Sequence, residues 1–206
     1  MKQIHPTREA WLEAFVSESA VLFMEHGANL PPKIRVTCGF TSGGTRKRGG
    51  KAMVGECWDS TRSGDKTFEI MVSPIEDDPY RVAAILTHEL THAAAGLQCG
   101  HRGEFARIAR KMRLEGPLTA TTGNADFKVM VDPILAVLGL YPHAKLDTSK
   151  RAKQTTRMIR CKCAKCGYTV RTTNGWLNAY GAPLCPNGKV TSAVGVVAPH
   201  GIMTVG

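Results

Sequence analysis

Residues 87–96 read THELTHAAAG, in which His88 and His92 stand four residues apart around Glu89. On a helix that interval leaves the two imidazoles about 40° apart on one face, roughly one turn along the axis. Both rings can bind one metal ion. Glu89, next to the first ring, can reach a water on that ion without ligating it. A third imidazole, His101, comes nine residues after His92 in GHRGEF (100–105). Three protein donors leave the fourth position of a tetrahedral ion open to water, which is what metal-assisted hydrolysis needs. Ala93, Ala94 and Ala95 give the helix a slim surface beside such a site, and Gly96 can end it so that the chain turns back. Glu104 is placed to orient a ligand or to cap the next helix. Cys99 is a second candidate donor near His101.

The spacing separates this motif from others that share HExxH. Metzincins place their third histidine six residues after the second, not nine. Peptide deformylases pair HExxH with a cysteine, and GECWDS (55–60) is superficially similar to theirs, but the residue order differs and His101 would have no role.

A second constellation lies in MIRCKCAKCGYTVRTTNGWLNAYGAPLCPNG (158–188). Cys163-x2-Cys166-Gly167 is a zinc-knuckle pattern in which the glycine lets backbone amides turn toward the sulfurs. Cys185-Pro186 supplies the other half, but Gly188 stands where a second C-x2-C would place its cysteine. The fourth donor is then His200 or Cys161. A structural zinc would replace the core that so short a segment cannot build. Arg160, Lys162, Lys165, Arg171 and Lys189 surround the cluster, interleaved with Tyr168, Trp176 and Tyr180. Basic and aromatic groups together suit single-stranded nucleic acid, by charge and by stacking. Trp176 and Tyr168 equally suit the small core of the segment itself.

The elements that must carry these residues are readable. Thr7 caps a helix running to about His26, with Trp11, Phe15 and Leu22 on its apolar stripe. Strand-like runs follow at 33–38, 52–57 and 67–73. The first two are joined by GFTSGGTRKRGGK, a mobile basic loop that does not match the phosphate-binding GxxxxGK[ST] pattern. Asp77-Asp78-Pro79 starts the helix of the HELTH motif, from about Pro79 to Leu97. A second helix spans about Gly103 to Leu114. A Gly- and Thr-rich loop precedes the apolar stretch 129–141, and 147–157 is a basic linker. Cys38, Cys57 and Cys99 read as buried free thiols.

Composition bounds the function. The chain has 206 residues, is 43% hydrophobic, and carries seven cysteines, four of them between Cys161 and Cys185. This favours metal over disulfides in a reducing compartment. No apolar run reaches the roughly 20 residues that span a bilayer. The N-terminus lacks the apolar core of a secretory signal, so a cytoplasmic protein is expected. All 17 acidic residues precede residue 151, against 19 Lys and Arg, whereas residues 151–206 hold eight Lys and Arg and no acidic residue. So basic a module suits a polyanion such as DNA.

HELTHAAAG followed by GHRGEF resembles the SprT-like metalloprotease domain, the type found in Spartan, which cuts proteins crosslinked to DNA. CGF, GECW, TFEIMVSP and YPHA are similar to bacterial and phage-type members, and the order of elements agrees over most of the chain. The resemblance implies an α+β fold: a zincin-like domain of helices packed on a small β-sheet (1–146), the basic linker (147–157), and a small β zinc ribbon (158–206). It implies one catalytic zinc on His88, His92 and His101, with Glu89 as general base. It also implies one structural zinc on Cys163, Cys166, Cys185 and His200, with Cys161 the alternative fourth donor. Tyr141 and His143 are candidates to steady an oxyanion. The expected function is zinc-dependent cleavage of DNA-associated proteins. The competing expectation is a non-catalytic DNA-binding accessory protein with a structural zinc.

Overall fold

A computed structural model describes residues 2–43, 47–48, 51–150, 157–187 and 200–206. Parts of the basic Gly-rich loop and of the linker, and the 188–199 excursion with Lys189, lie outside the described residues. The fold is mixed α+β and divides into two compact units, Met1–Lys150 and Arg151–Gly206.

The first unit opens with α1 (Arg8–Glu25). Thr7 Oγ1 accepts from the Ala10 amide at 3.2 Å, which satisfies one of the free donors of the first turn. Trp11, Leu12, Phe15 and Phe23 are fully buried along one side. Trp11 stacks on Phe15, meets Tyr141 edge-on at 5.1 Å, and donates its indole N–H to Gly139 O. Tyr141 is a buried core residue beneath α1, with Arg8 over its ring. His143 is exposed.

The sheet has three strands. β1 (Ile34–Cys38) is separated from the rest by a small hairpin, β2 (Lys47–Arg48) with β3 (Lys51–Ala52). Then come β4 (Gly55–Trp58) and β5 (Phe68–Val72). Their order is β1-β5-β4, with β1 parallel to β5 and β4 antiparallel to it. β4 is thus an edge strand, and no other described strand pairs with its free side.

Helix α2 (Pro79–Ala95) crosses this sheet. Asp78 caps it by accepting from the Arg81 amide at 2.8 Å, and Pro79 occupies the first turn, where its missing N–H costs nothing. Val82, Ala83, Leu86 and Leu90 bury one side in the core. The helix ends at Ala95, with Gly96 as its C-cap, two residues before the expected Leu97. A 3₁₀ turn over Leu97–Cys99 leads to α3 (Glu104–Lys111), which is shorter than the expected 103–114. The Gly- and Thr-rich segment contains a hairpin, β6 (Leu114–Glu115) with β7 (Thr122–Gly123), before α4 (Ala125–Leu138).

The second unit is a sheet of order β10-β8-β9, built from β8 (Met158–Lys162), β9 (Thr169–Thr173) and β10 (Thr204–Val205). Helix α5 (Asn174–Tyr180) follows β9. Among the described residues no helix is long and apolar enough to cross a membrane.

Trp11→Ala is expected to remove about 3–5 kcal/mol of stability, because it empties a fully enclosed site that also holds a hydrogen bond. Chemical unfolding followed by circular dichroism measures it; a loss below about 1 kcal/mol would mean that α1 is not anchored there.

Candidate metal centre and active site

His88 and His92 project from the same side of α2, as their spacing requires, with ring centroids 5.1 Å apart. The turn after Gly96 returns the chain so that His101 Nε2 lies 3.1 Å from His92 Nε2. One donor atom of each of the three rings lies within 4.8 Å of the others. All three rings pack against Phe105, which is fully buried, at centroid distances of 5.0, 4.3 and 5.0 Å. Phe105 stands one helical turn beyond His101, so the same turn that delivers the third imidazole delivers the ring beneath all three.

Burial, together with the neighbouring imidazoles and Arg81, lowers the pKa of His88 to about 3. Burial and His101 lower His92 to about 4. Burial also lowers His101. The three rings are accordingly neutral at physiological pH, the state in which imidazole binds a metal. A tetrahedral ion with Zn–N bonds of about 2.0–2.1 Å spaces its donors by about 3.3 Å, so the His92–His101 separation fits a shared ion.

Glu89 is 7% exposed. Its carboxylate makes no hydrogen bond among the described residues. Burial, with Glu56 nearby, raises its pKa to about 8. It lies against the start of β4. A Cβ on Gly55 would overlap Glu89 Oε1 and come within 2.8 Å of Ile85 Cγ2, so any side chain there would displace the Glu89 carboxylate. Sequence reading gave Gly55 no role, although a glycine inside a strand pattern is the usual sign of close approach. Cys57, on the same strand, has its thiol pushed up by burial and by Glu89. A cavity of about 450 Å³ opens beside His101, lined among others by Gln98, Cys99, Arg102, Leu118 and Thr119.

Two expectations at this site change. Glu104 pairs with Arg107 one turn on and neither orients His101 nor supplies a side-chain cap. Cys99 Sγ contacts Ala95 O at 3.3 Å and is not part of the three-ring cluster. With Cys38 and Cys57 it is a free thiol, half-buried rather than buried.

In the second unit Cys163, Cys166, Cys185 and His200 form a four-donor cluster. Cys166 and Cys185 Sγ lie 3.5 Å apart, and His200 Nδ1 lies 3.7 Å from Cys163 Sγ and 3.9 Å from Cys185 Sγ. A tetrahedral ion with bonds of about 2.3 Å to sulfur spaces its donors by about 3.8 Å, so this set fits a metal as well. Gly167, at φ 77°, makes the knuckle turn that a side chain would strain. The backbone N–H of Tyr168, with His200, lowers the Cys166 thiol to about 6. Cys161 is excluded as a donor. The pleat of β8 sends it inward, where it is fully buried against Met203, Cys163 and Cys185.

Arg160, Lys162, Lys165 and Arg171 are exposed. Arg160 stands opposite Arg171 in the β8–β9 ladder, and Lys162 shares their face two residues on. Like charges opposite one another repel, so this face lacks an internal reason for its composition. Trp176 and Tyr180 stack on α5 with centroids 5.4 Å apart, 60% and 78% exposed, and Tyr168 is 45% exposed. Neither Trp176 nor Tyr168 fills the small core.

Comparison with family models, with curated proteins and with solved structures finds no match for this chain. The functional reading therefore rests on the two clusters themselves.

The purified chain is expected to carry two divalent metal equivalents, falling to one in His92→Ala and to one in Cys185→Ser. Native mass spectrometry counts them; a wild type with one equivalent or none would remove one or both centres.

Proposed function

We propose that the chain is a zinc-dependent peptidase of the SprT-like, zincin-like kind, acting on proteins held on DNA. The observation that carries the reading is the contrast between its two clusters. The Cys163–Cys166–Cys185–His200 set supplies four donors, the closed pattern of a structural site. The His88–His92–His101 set supplies three among the described residues, with a buried carboxylate beside it. A purely structural site has no use for that open position or for Glu89.

When bound at the three imidazoles, zinc supplies a Lewis acid that brings the pKa of water to about 7 and polarises a carbonyl. The chain's own residues do the rest. Glu89 takes a proton from the attacking water and later gives it to the leaving amine. Burial raises the proton affinity of Glu89, and the charge of a bound cation would oppose that rise and keep the carboxylate free to accept. The free edge of β4 offers backbone N–H and C=O groups that can pair with an extended peptide alongside Glu89. The cavity beside His101 can take a side chain of that peptide. Phe105 and the core side of α2 keep water from the rear of the site. Support for the DNA arm of the reading is the exposed basic face of β8 and β9, the stacked Trp176–Tyr180 pair, and a unit without acidic residues.

Cleavage of a DNA-bound basic protein, with and without single-stranded DNA, tests the proposal. Glu89→Gln is expected to lower the rate by about 10²–10⁴-fold while folding and metal content stay intact. Metal-loaded wild type that retains DNA but cleaves nothing under either condition would favour a DNA-binding accessory protein instead. Trp176→Ala is expected to weaken single-stranded DNA binding by about 1–3 kcal/mol, roughly 5- to 150-fold, as measured by fluorescence anisotropy at fixed salt. Unchanged affinity would remove the stacking role.

A further inference from the structure

Thr121 has no part in the reading above, yet its hydroxyl lies 2.8 Å from His88 Nδ1, across 33 residues of sequence. It is 6% exposed, one of eight polar or charged residues buried among the described residues of this unit. Its backbone is held as firmly as its side chain. Arg81 Nη1 donates to Thr121 O at 3.2 Å, and Glu76 in turn lies 4.0 Å from Arg81 Nε. Arg81 and His88 are seven residues apart, which places them two turns apart on one face of α2. Two residues of that face thus grip Thr121, one by its carbonyl and one by its hydroxyl. On the other side the chain enters β7, which pairs with β6, and then Asn124, which caps α4 by accepting from the Phe127 amide at 2.8 Å.

This matters because a neutral imidazole can carry its proton on either nitrogen, and only the bare nitrogen binds a metal. Nδ1 of His88 is taken up by Thr121, so Nε2 is the nitrogen left for the cluster, as it is in His92 and His101. Phe105 meets the His88 ring at 68°, limiting its rotation from a second direction.

We infer that Thr121 is a positioning residue of the three-histidine centre: its hydroxyl accepts the Nδ1–H of His88 and fixes the ring and tautomer that present Nε2 to the metal. The inference rests on the proposal that this cluster binds a metal, but not on peptide hydrolysis. It gives the β6–β7 hairpin a function, as the strap that carries the hydroxyl and is locked in place by Arg81. Partners of this kind typically govern metal affinity by about 10–100-fold.

The test is cobalt(II) titration of the full chain against a competing chelator. Thiolate-to-cobalt charge transfer reports the cysteine cluster, and the ligand-field bands of an all-nitrogen site report the histidines, so each centre is read separately. Thr121→Val keeps the shape and deletes the oxygen; Thr121→Ser keeps the oxygen. The expected result is a loss of about 10–100-fold in affinity at the histidine centre in Thr121→Val, no change at the cysteine cluster, and recovery in Thr121→Ser. A residue needed only for packing the hairpin would not give this site-selective pattern. Equal affinity in wild type and Thr121→Val would overturn the role of Thr121 while leaving the metal centre standing. Wild type that takes no cobalt at the histidines would overturn both. Imidazole nitrogen NMR of the zinc-loaded wild type decides independently of any variant: His88 is expected to hold its proton on Nδ1, and a proton on Nε2 would overturn the inference.

Discussion

The first unit depends on one close approach, that of His101 to His92 over a nine-residue interval of chain. Three imidazoles within this small volume repel if protonated, and burial drives them neutral. Charge therefore cannot hold the cluster together; packing does. Phe105 supplies it by lying under all three rings at once. That ring is placed by the start of α3 at Glu104, three residues after His101, and His88 and His92 are held by the clamping of α2 from behind. The buried Val82, Ala83, Leu86 and Leu90 provide that clamp. The core thus holds together a group of neutral donors that could share a cation.

The parts of this arrangement set by local spacing were legible in the sequence. Asp78-Pro79 marks the start of α2 and the i, i+4 interval puts His88 and His92 on one face, because both depend on a few neighbouring residues. The parts set by long-range pairing were not. Nothing local says that β1 runs parallel to β5, or that β4 is left at the edge. The β6–β7 hairpin has strands of two residues each, too short for any alternation to register, so the Gly- and Thr-rich segment reads as a loop. Thr121 is invisible for the same reason: its partners, Arg81 and His88, lie 40 and 33 residues away. Cys161 shows the opposite error. Its spacing from Cys163 makes it a plausible donor, and only the pleat of β8, which turns it toward Met203, removes it.

The two clusters also differ in what surrounds their donors. Residues 151–206 contain no Asp or Glu, so the Cys163–Cys166–Cys185–His200 set has no carboxylate from its own unit to act as a base. Its four donors would close the coordination sphere of a metal, and the unit's exposed chemistry lies outward, on the Arg160–Arg171 face and the Trp176–Tyr180 stack. The first unit has the converse design, with three donors and a carboxylate. On the proposed reading the chain separates chemistry from recruitment by giving each unit only the residue types its task requires.

Within the first unit a similar division operates between two carboxylates. Ser42 donates to Glu56 from both its backbone N–H, at 2.7 Å, and its hydroxyl, at 2.6 Å. Glu89, on the helix that faces the same strand, receives no such donor among the described residues and is more deeply buried. Desolvation therefore falls on Glu89, and the negative charge of Glu56 adds to it; both raise the proton affinity of Glu89 and not its reach. A carboxylate that needed only to accept hydrogen bonds would be better served by donors like those of Ser42. On the proposed reading, one that must hold a proton briefly and release it is better served by having none, and the close approach of Gly55 adds to its burial.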